Sequence, residues 1–175
     1  MLSIRPKWCE LIANGTKTVE VRKSRPKLHT PFKCYIYCTQ PRYPHEDYIE
    51  TDYPKPQFYG GGKVIGEFTC ERIYEIRKRG IPENFDYCYL SLNEWGNDDI
   101  ETEIRAISAS CVSKEKLNAY GDKAPLLYGW HISDLRIYDE ARELSEFTGL
   151  RNTRFGAAPY DIKRAPQSWC YVEEG

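Results

Sequence analysis

Three charged side chains fall within six residues of the stretch "NGTKTVEVR" (residues 14–22): Lys17, Glu20 and Arg22. A lysine offers a compact point charge for a phosphate, and in a dry pocket it can lose its proton and serve as base or nucleophile. An arginine offers a planar fork that grips a phosphate or a base edge at two points. A glutamate between them can orient the lysine or accept a hydrogen bond from an exocyclic amine. The bland alternative is a surface ion pair between Glu20 and Arg22, worth under ~1 kcal/mol. On a regular strand these two share a face about 7 Å apart, while Lys17 points the opposite way. All three converge only where the chain turns or twists.

Further candidates lie at both ends. Ser3, Arg5, Lys7 and Trp8 stand at the entry to a predicted helix, where exposed N–H groups and the positive dipole end favour anions. Arg5 and Lys7 reinforce that entry, and Trp8 reads as core. Tyr35 and Tyr37, on the outer face of a predicted strand, offer rings for a base or are ordinary surface tyrosines. Gln167, Ser168 and Trp169 can reach a base edge from a rim. "GWHISD" supplies Trp130, His131 and Ser133, with His131 expected to be buried and hydrogen-bonded. No metal is expected, because Cys34 and Cys38 with His29 or His45 make an irregular set for tetrahedral zinc. "YGGGK" (59–63) lacks the helix and Ser/Thr of a phosphate-binding P-loop and reads as a hinge. No cofactor is expected.

The elements that must position these residues follow from local pattern. "LSI" is a short strand. Pro6 opens a helix with Trp8, Leu11 and Ile12 on one face, and Asn14-Gly15 stops it. "KTVEVR" alternates, Val19 and Val21 inward, Thr18, Glu20 and Arg22 outward. "FKCYIYCT" (32–39) is a strand with Cys34, Ile36 and Cys38 opposite the two tyrosines. Residues 40–62 hold four prolines, three consecutive glycines and five aromatics, which predicts a long loop acting as a cover. Residues 63–77 read as one long strand bent at Gly66 or further along, and 128–139 and 168–174 as two more. Helices are expected from Asn97 or Asp98 onward and over "SKEKLNAYGD", ending at Gly121, with a helical turn at "ARELSEF". Five or six strands with helices at the start and middle predict an α+β fold, and that strand number suits a small mixed barrel.

The chain of 175 residues fits a single domain spanning 1–175. No apolar run approaches the ~20 residues of a bilayer span, so no membrane association is expected. The start lacks a signal core, and seven cysteines without a regular framework read as reduced thiols, so a cytoplasmic location is expected. The formal net charge of −1 argues against a general nucleic-acid coat. Residues 1–33, however, carry eight Lys/Arg against two acids, and residues 91–147 carry six against twelve.

The stretch "LSIRPKWCELIANGTKTVEVRK" resembles the opening of ASCH domains, with the G-x-K-T-x-E-x-R signature at Gly15, Lys17, Thr18, Glu20 and Arg22. "YGWHISDLRIYDEARELSEF" and "APQSWCYVEE" resemble the rest of a bacterial and phage subgroup of that family. The resemblance implies a PUA-like fold, a small mixed β-barrel decorated with helices. It also implies a cleft beside the first helix that binds RNA, a nucleotide or a modified nucleoside. Some similar proteins are amidohydrolases acting on N4-acetylcytidine, and others nucleases. Lys17 matches the catalytic lysine of the amidohydrolases, but Glu20 stands where they carry a threonine. The expectation is an RNA- or nucleotide-binding protein whose site draws on Ser3, Arg5, Lys7, Lys17, Thr18, Glu20, Arg22, Tyr35, Gln167, Ser168 and Trp169. The alternatives are a small hydrolase with Lys17 and Glu20 catalytic, and a module that binds a protein partner through the acidic 91–147 region.

Overall fold

The structure, a computed structural model, describes residues 1–40, 48–50, 57–78 and 105–173. In chain order its elements are β1 (Leu2–Ile4), α1 (Pro6–Ala13), β2 (Val19–Arg22), β3 (Phe32–Cys38), β4 (Tyr48–Glu50), β5 (Gln57–Tyr59), β6 (Lys63–Cys70) and β7 (Ile73–Arg77). There follow a helical turn at 105–108, α2 (Lys114–Gly121), β8 (Leu126–His131), β9 (Ser133–Arg142), β10 (Thr148–Thr153), β11 (Gly156–Asp161) and β12 (Tyr171–Val172). Two compact units emerge, each assembled from separate stretches of chain. One comprises Met1–Gly15, Lys33–Thr69 and Asp134–Gly175, the other Thr16–Phe32 and Cys70–Ser133.

The first unit is built on a four-stranded sheet in the order β1-β3-β6-β9, with β1 parallel to β3 through Leu2↔Ile36, Ser3↔Tyr37 and Ile4↔Cys38. Cys34, Tyr35, Ile36, Tyr37 and Cys38 of β3 are all buried, so both its faces are covered. Tyr35 and Tyr37 are buried with Met1, Val64, Phe147 and Ile162, and Tyr35 meets Phe147 edge-on at 4.9 Å. The expected outer face of β3 is thus a core face. Helix α1 begins at Pro6, buries Pro6, Cys9 and Ile12, and leaves Trp8 and Leu11 half-buried. It stops as expected, with Asn14 N donating to Glu10 O and Gly15 taking φ +77°.

The second unit holds the antiparallel sheet β2-β8-β7. One face carries Val21, Ile76 and Leu127 against Leu117 of α2. α2 ends at Gly121 as expected and is capped by Ser113, whose hydroxyl accepts from Lys116 N.

Several strands differ from expectation for identifiable reasons. The run 63–77 is two strands in different sheets, broken at Glu71-Arg72, where Arg72 O accepts from the Cys70 thiol and from His131 N. The run 128–139 likewise divides into β8 and β9, with Asp134 at φ +47° redirecting the chain and Ile132 N donating to Thr18 O. Within 40–62, β4 and β5 form an antiparallel pair, so that segment is not wholly loop. The expected 168–174 strand is reduced to Tyr171–Val172, paired with β10, and the β10–β11 hairpin was not anticipated at all. The start of the helix expected from Asn97 or Asp98 lies outside the described residues. The α+β class holds. The expected barrel of five or six strands does not: twelve strands are described, and among the described residues their four sheets stay open.

Candidate functional site

β2 is an edge strand, which leaves one row of its backbone groups without a ladder partner. Val19 shows how the chain satisfies them: its N–H donates to Ala109 O at 3.2 Å, and its carbonyl accepts from Lys17 Nζ at 2.8 Å. Lys17 also donates to Ser110 O at 2.6 Å and lies 3.2 Å from Glu20 Oε2. An ammonium has three donors and no acceptor, and here three oxygens surround it. Lys17 is 1% exposed.

Glu20 links the set, because its other carboxylate oxygen, Oε1, lies 3.1 Å from Arg22 NH2. Glu20 and Arg22 share a strand face as expected, but that face is not solvated. Glu20 pairs in register with Trp130 on β8, whose buried ring meets Phe32 edge-on at 5.7 Å. Side-chain exposures are 7% for Glu20 and 11% for Arg22. The outward, water-facing expectation for Glu20 is therefore corrected. Lys17 joins the other two because it precedes β2, in the turn that follows Gly15, where strand alternation does not apply.

The 107–112 segment closes over this network. Thr18 N donates to Ala109 O, and the Ser110 hydroxyl donates to Ile107 O and accepts from Val112 N. Cys111 takes φ +55° and directs its thiol to Thr16 O. Ser110 was absent from the sequence-derived set. A small polar residue inside "ISASCVS" offers little to single it out, although its burial next to a lysine is what fixes the site.

Beyond Arg22 the chain turns basic and exposed. Lys23 Nζ sits 5.4 Å from the Tyr120 ring centroid. Arg25, Pro26, Lys27, Leu28 and His29 then form a loop around a shallow, open hollow. Pro26 is buried and anchors the loop, while Arg25, Lys27, Leu28 and His29 are exposed. This loop was also missing from the expected site.

Lys17, Thr18, Glu20 and Arg22 belong to the second unit; Ser3, Arg5, Lys7, Tyr35, Gln167, Ser168 and Trp169 belong to the first. Within the first unit, Ser3 meets the C-terminal segment directly. Its hydroxyl donates to Pro166 O at 2.7 Å, its N–H donates to Ser168 O at 3.0 Å, and Leu2 bridges to Trp169. Trp169 is half-buried and packs edge-on against Tyr171, whereas Gln167 is exposed. Arg5 caps α1 through its carbonyl and is exposed, as is Lys7, whose ammonium lies 5.9 Å from the Trp8 ring centroid. Tyr35 lies in the core, as described. His131, expected buried, is 30% exposed, with Nδ1 4.0 Å from Glu71 and its ring edge-on to Tyr74. Among the described residues no helix is long and apolar enough to cross a membrane.

The family profile of the ASCH domain matches residues 2–148, and the chain belongs to that family. Its fold is similar to that of an ASCH protein from Zymomonas mobilis known from a crystal structure, with TM-score 0.52 and 16% identity over 83% of this chain and 75% of that one. A tyrosine-to-phenylalanine variant of that protein gives TM-score 0.51 at 16% identity, covering 83% of this chain and 77% of its own. A serine-to-alanine variant gives 0.51 at 17%, covering 83% and 75%. No curated protein matches the sequence.

Proposed function

We propose that the protein is a PUA-like RNA- or nucleotide-binding module whose contact surface is the basic loop after the signature strand. The observation that carries this reading is the exposed basic run Lys23, Arg25 and Lys27 with His29, which follows directly on Arg22. Arg25 and Lys27 on an exposed loop, with the His29 ring beside them in sequence, suit a phosphate, and long basic side chains steer and hold polyanions. In this reading the Lys17–Glu20–Arg22 network is the brace beneath that surface. It fixes the strand from which the loop springs, and it leaves phosphate contact to the exposed residues.

Fluorescence anisotropy with short labelled RNA at two salt concentrations tests the reading. Arg25→Ala combined with Lys27→Ala should weaken binding and reduce the magnitude of the log–log salt slope by about 1.4, since each single-strand phosphate contact contributes about 0.7. Unchanged affinity and slope would reject the loop as the contact surface.

A second reading, hydrolysis of a modified nucleoside, draws on one observation: Lys17 is dry and touches a carboxylate. A base or nucleophile of this kind would have to give up its contacts to Ser110 O and Val19 O before reaching a substrate. A folded Lys17→Met variant that still released acetate from N4-acetylcytidine would eliminate that role.

A further inference from the structure

The β10–β11 hairpin begins at residue 148, where the segment matched to the ASCH family ends. Its strands pair from Thr148↔Asp161 to Thr153↔Gly156, which leaves only Arg154 and Phe155 in the loop. Phe155 N donates to Thr153 Oγ1 at 3.2 Å, the same hydroxyl donates to Gly156 O at 2.8 Å, and Gly156 takes φ +109°. The tip is thus tied by side-chain bonds. At that tied tip Phe155 is 85% exposed, far more than the other exposed large hydrophobics described, Leu28 and Tyr120.

The surroundings of this ring are basic. The Arg154 guanidinium lies 4.6 Å from the Phe155 ring centroid. Arg151 is exposed on β10 opposite Ala158, whose methyl group is too small to cover it. Lys163 and Arg164 follow β11. Residues 151–164 carry these four cations against one acid, Asp161. Among the described residues none of the four has a carboxylate partner.

We propose that this hairpin is a second contact, for single-stranded nucleic acid: Phe155 stacks on an unpaired base, and Arg151 and Arg154 hold the flanking phosphates. Every base has a π-face, so a largely exposed ring on a tied turn, with cations beside it, suits the repeating base–phosphate unit of a single strand. The choice of a nucleic acid over a protein partner rests on charge: four cations against one acid over residues 151–164 match a polyanion. One ring is also too little apolar surface to anchor a membrane. The proposal takes from the proposed function only the class of ligand, and it places the contact on the first unit.

The test uses the whole chain and 12-nucleotide labelled uridine and adenosine RNA. Phe155→Ala should weaken binding roughly tenfold, the order expected for one lost base stack, and Phe155→Leu should behave the same way. Phe155→Trp should keep the affinity, with its added indole emission quenched at saturation relative to the four-tryptophan wild type. Arg151→Ala with Arg154→Ala should reduce the magnitude of the salt slope by about 1.4. Wild-type affinity in Phe155→Leu, or an unquenched indole while RNA binds, would overturn the hairpin contact. Anisotropy of the Arg25/Lys27 variant reports the loop and indole quenching reports the hairpin, so either can fail alone.

Discussion

Lys17 Nζ and Glu20 Oε2 stand 3.2 Å apart in the interior, with 1% and 7% of their side chains exposed. The two most chemically suggestive residues of the signature therefore spend their hydrogen-bonding capacity inside the protein. Lys17 ties the edge of β2 to the 107–112 segment, and Glu20 joins Lys17 to Arg22. The same three residues that read as a ligand site also act as a device for closing a sheet edge.

That arrangement makes Glu20 the most sensitive member. Glu20→Gln keeps the shape but removes the carboxylate charge that Lys17 and Arg22 share. Removing one partner of a buried ion pair costs about 3–5 kcal/mol, against under ~1 kcal/mol for an exposed pair. Urea unfolding should show the larger loss. A change below ~1 kcal/mol would return the network to the status of a surface pair.

Much of the second unit's local structure was legible because its signals are short-range. Gly121 ends α2 where the sequence places it, and in the first unit Asn14-Gly15 likewise stops α1. What alternation missed is burial on both faces. The outward positions of "KTVEVR" meet Trp130 and the 107–112 segment, which come from more than 85 residues away, and a period-two pattern carries no information about them. The same holds for Tyr35 on an interior strand. The break at Glu71-Arg72 was hidden because Cys70, Tyr74 and Ile76 keep one phase across it. At Asp134 the phase does flip, from Trp130 and Ile132 to Leu135 and Ile137, a signal that the expected single strand over 128–139 ignores. The β10–β11 hairpin was missed because "LRNTRFGAAPYD" is mostly exposed, so hydrophobic periodicity has little to mark. The site was legible as a motif, and its orientation was not.

Gly66, singled out in the sequence as a bend, has a different role. It lies in β6 beside β9, and a Cβ placed there would meet Arg136 O at 2.4 Å and Ile137 Cα at 3.1 Å. Backbone atoms of a neighbouring strand cannot step aside as a flexible side chain can. Gly66→Ala should force β6 and β9 apart and cost on the order of 1–3 kcal/mol, as overpacking does. A thermal midpoint equal to that of the wild type would show that the two strands tolerate separation.

The cap of α2 gives a smaller effect. Ser113 Oγ accepts from Lys116 N at 3.4 Å, and the helix it starts places Leu117 against Val21, Ile76 and Leu127. Ser113→Ala should lower stability by about 1 kcal/mol, whereas Ser113→Asp should retain the cap. Equal loss in both variants, read by denaturant midpoint, would assign the effect to something other than the cap.

Alkaline pH should act through buried thiols and phenols. Burial raises the Cys70 thiol from about 9 to about 11, against smaller opposing backbone hydrogen bonds at Arg72 and His131. Burial and a hydrogen bond to Glu67 shift Tyr138 upward as well, and Cys170 moves the same way. A raised value means that the folded protein holds its proton after the unfolded chain has released it. The stabilisation is therefore complete below pH 9 and is lost as pH rises through about 11. A shift of this size corresponds to on the order of 2–3 kcal/mol for Cys70. Cys70→Ala leaves a small cavity and lowers stability at every pH, so the informative quantity is slope. Unfolding free energy between pH 9 and 11 should fall less steeply in Cys70→Ala than in the wild type, with Tyr138 and Cys170 supplying the remainder. Parallel curves would show that Cys70 titrates alike in both states, and that its burial next to Arg72 does not hold the proton.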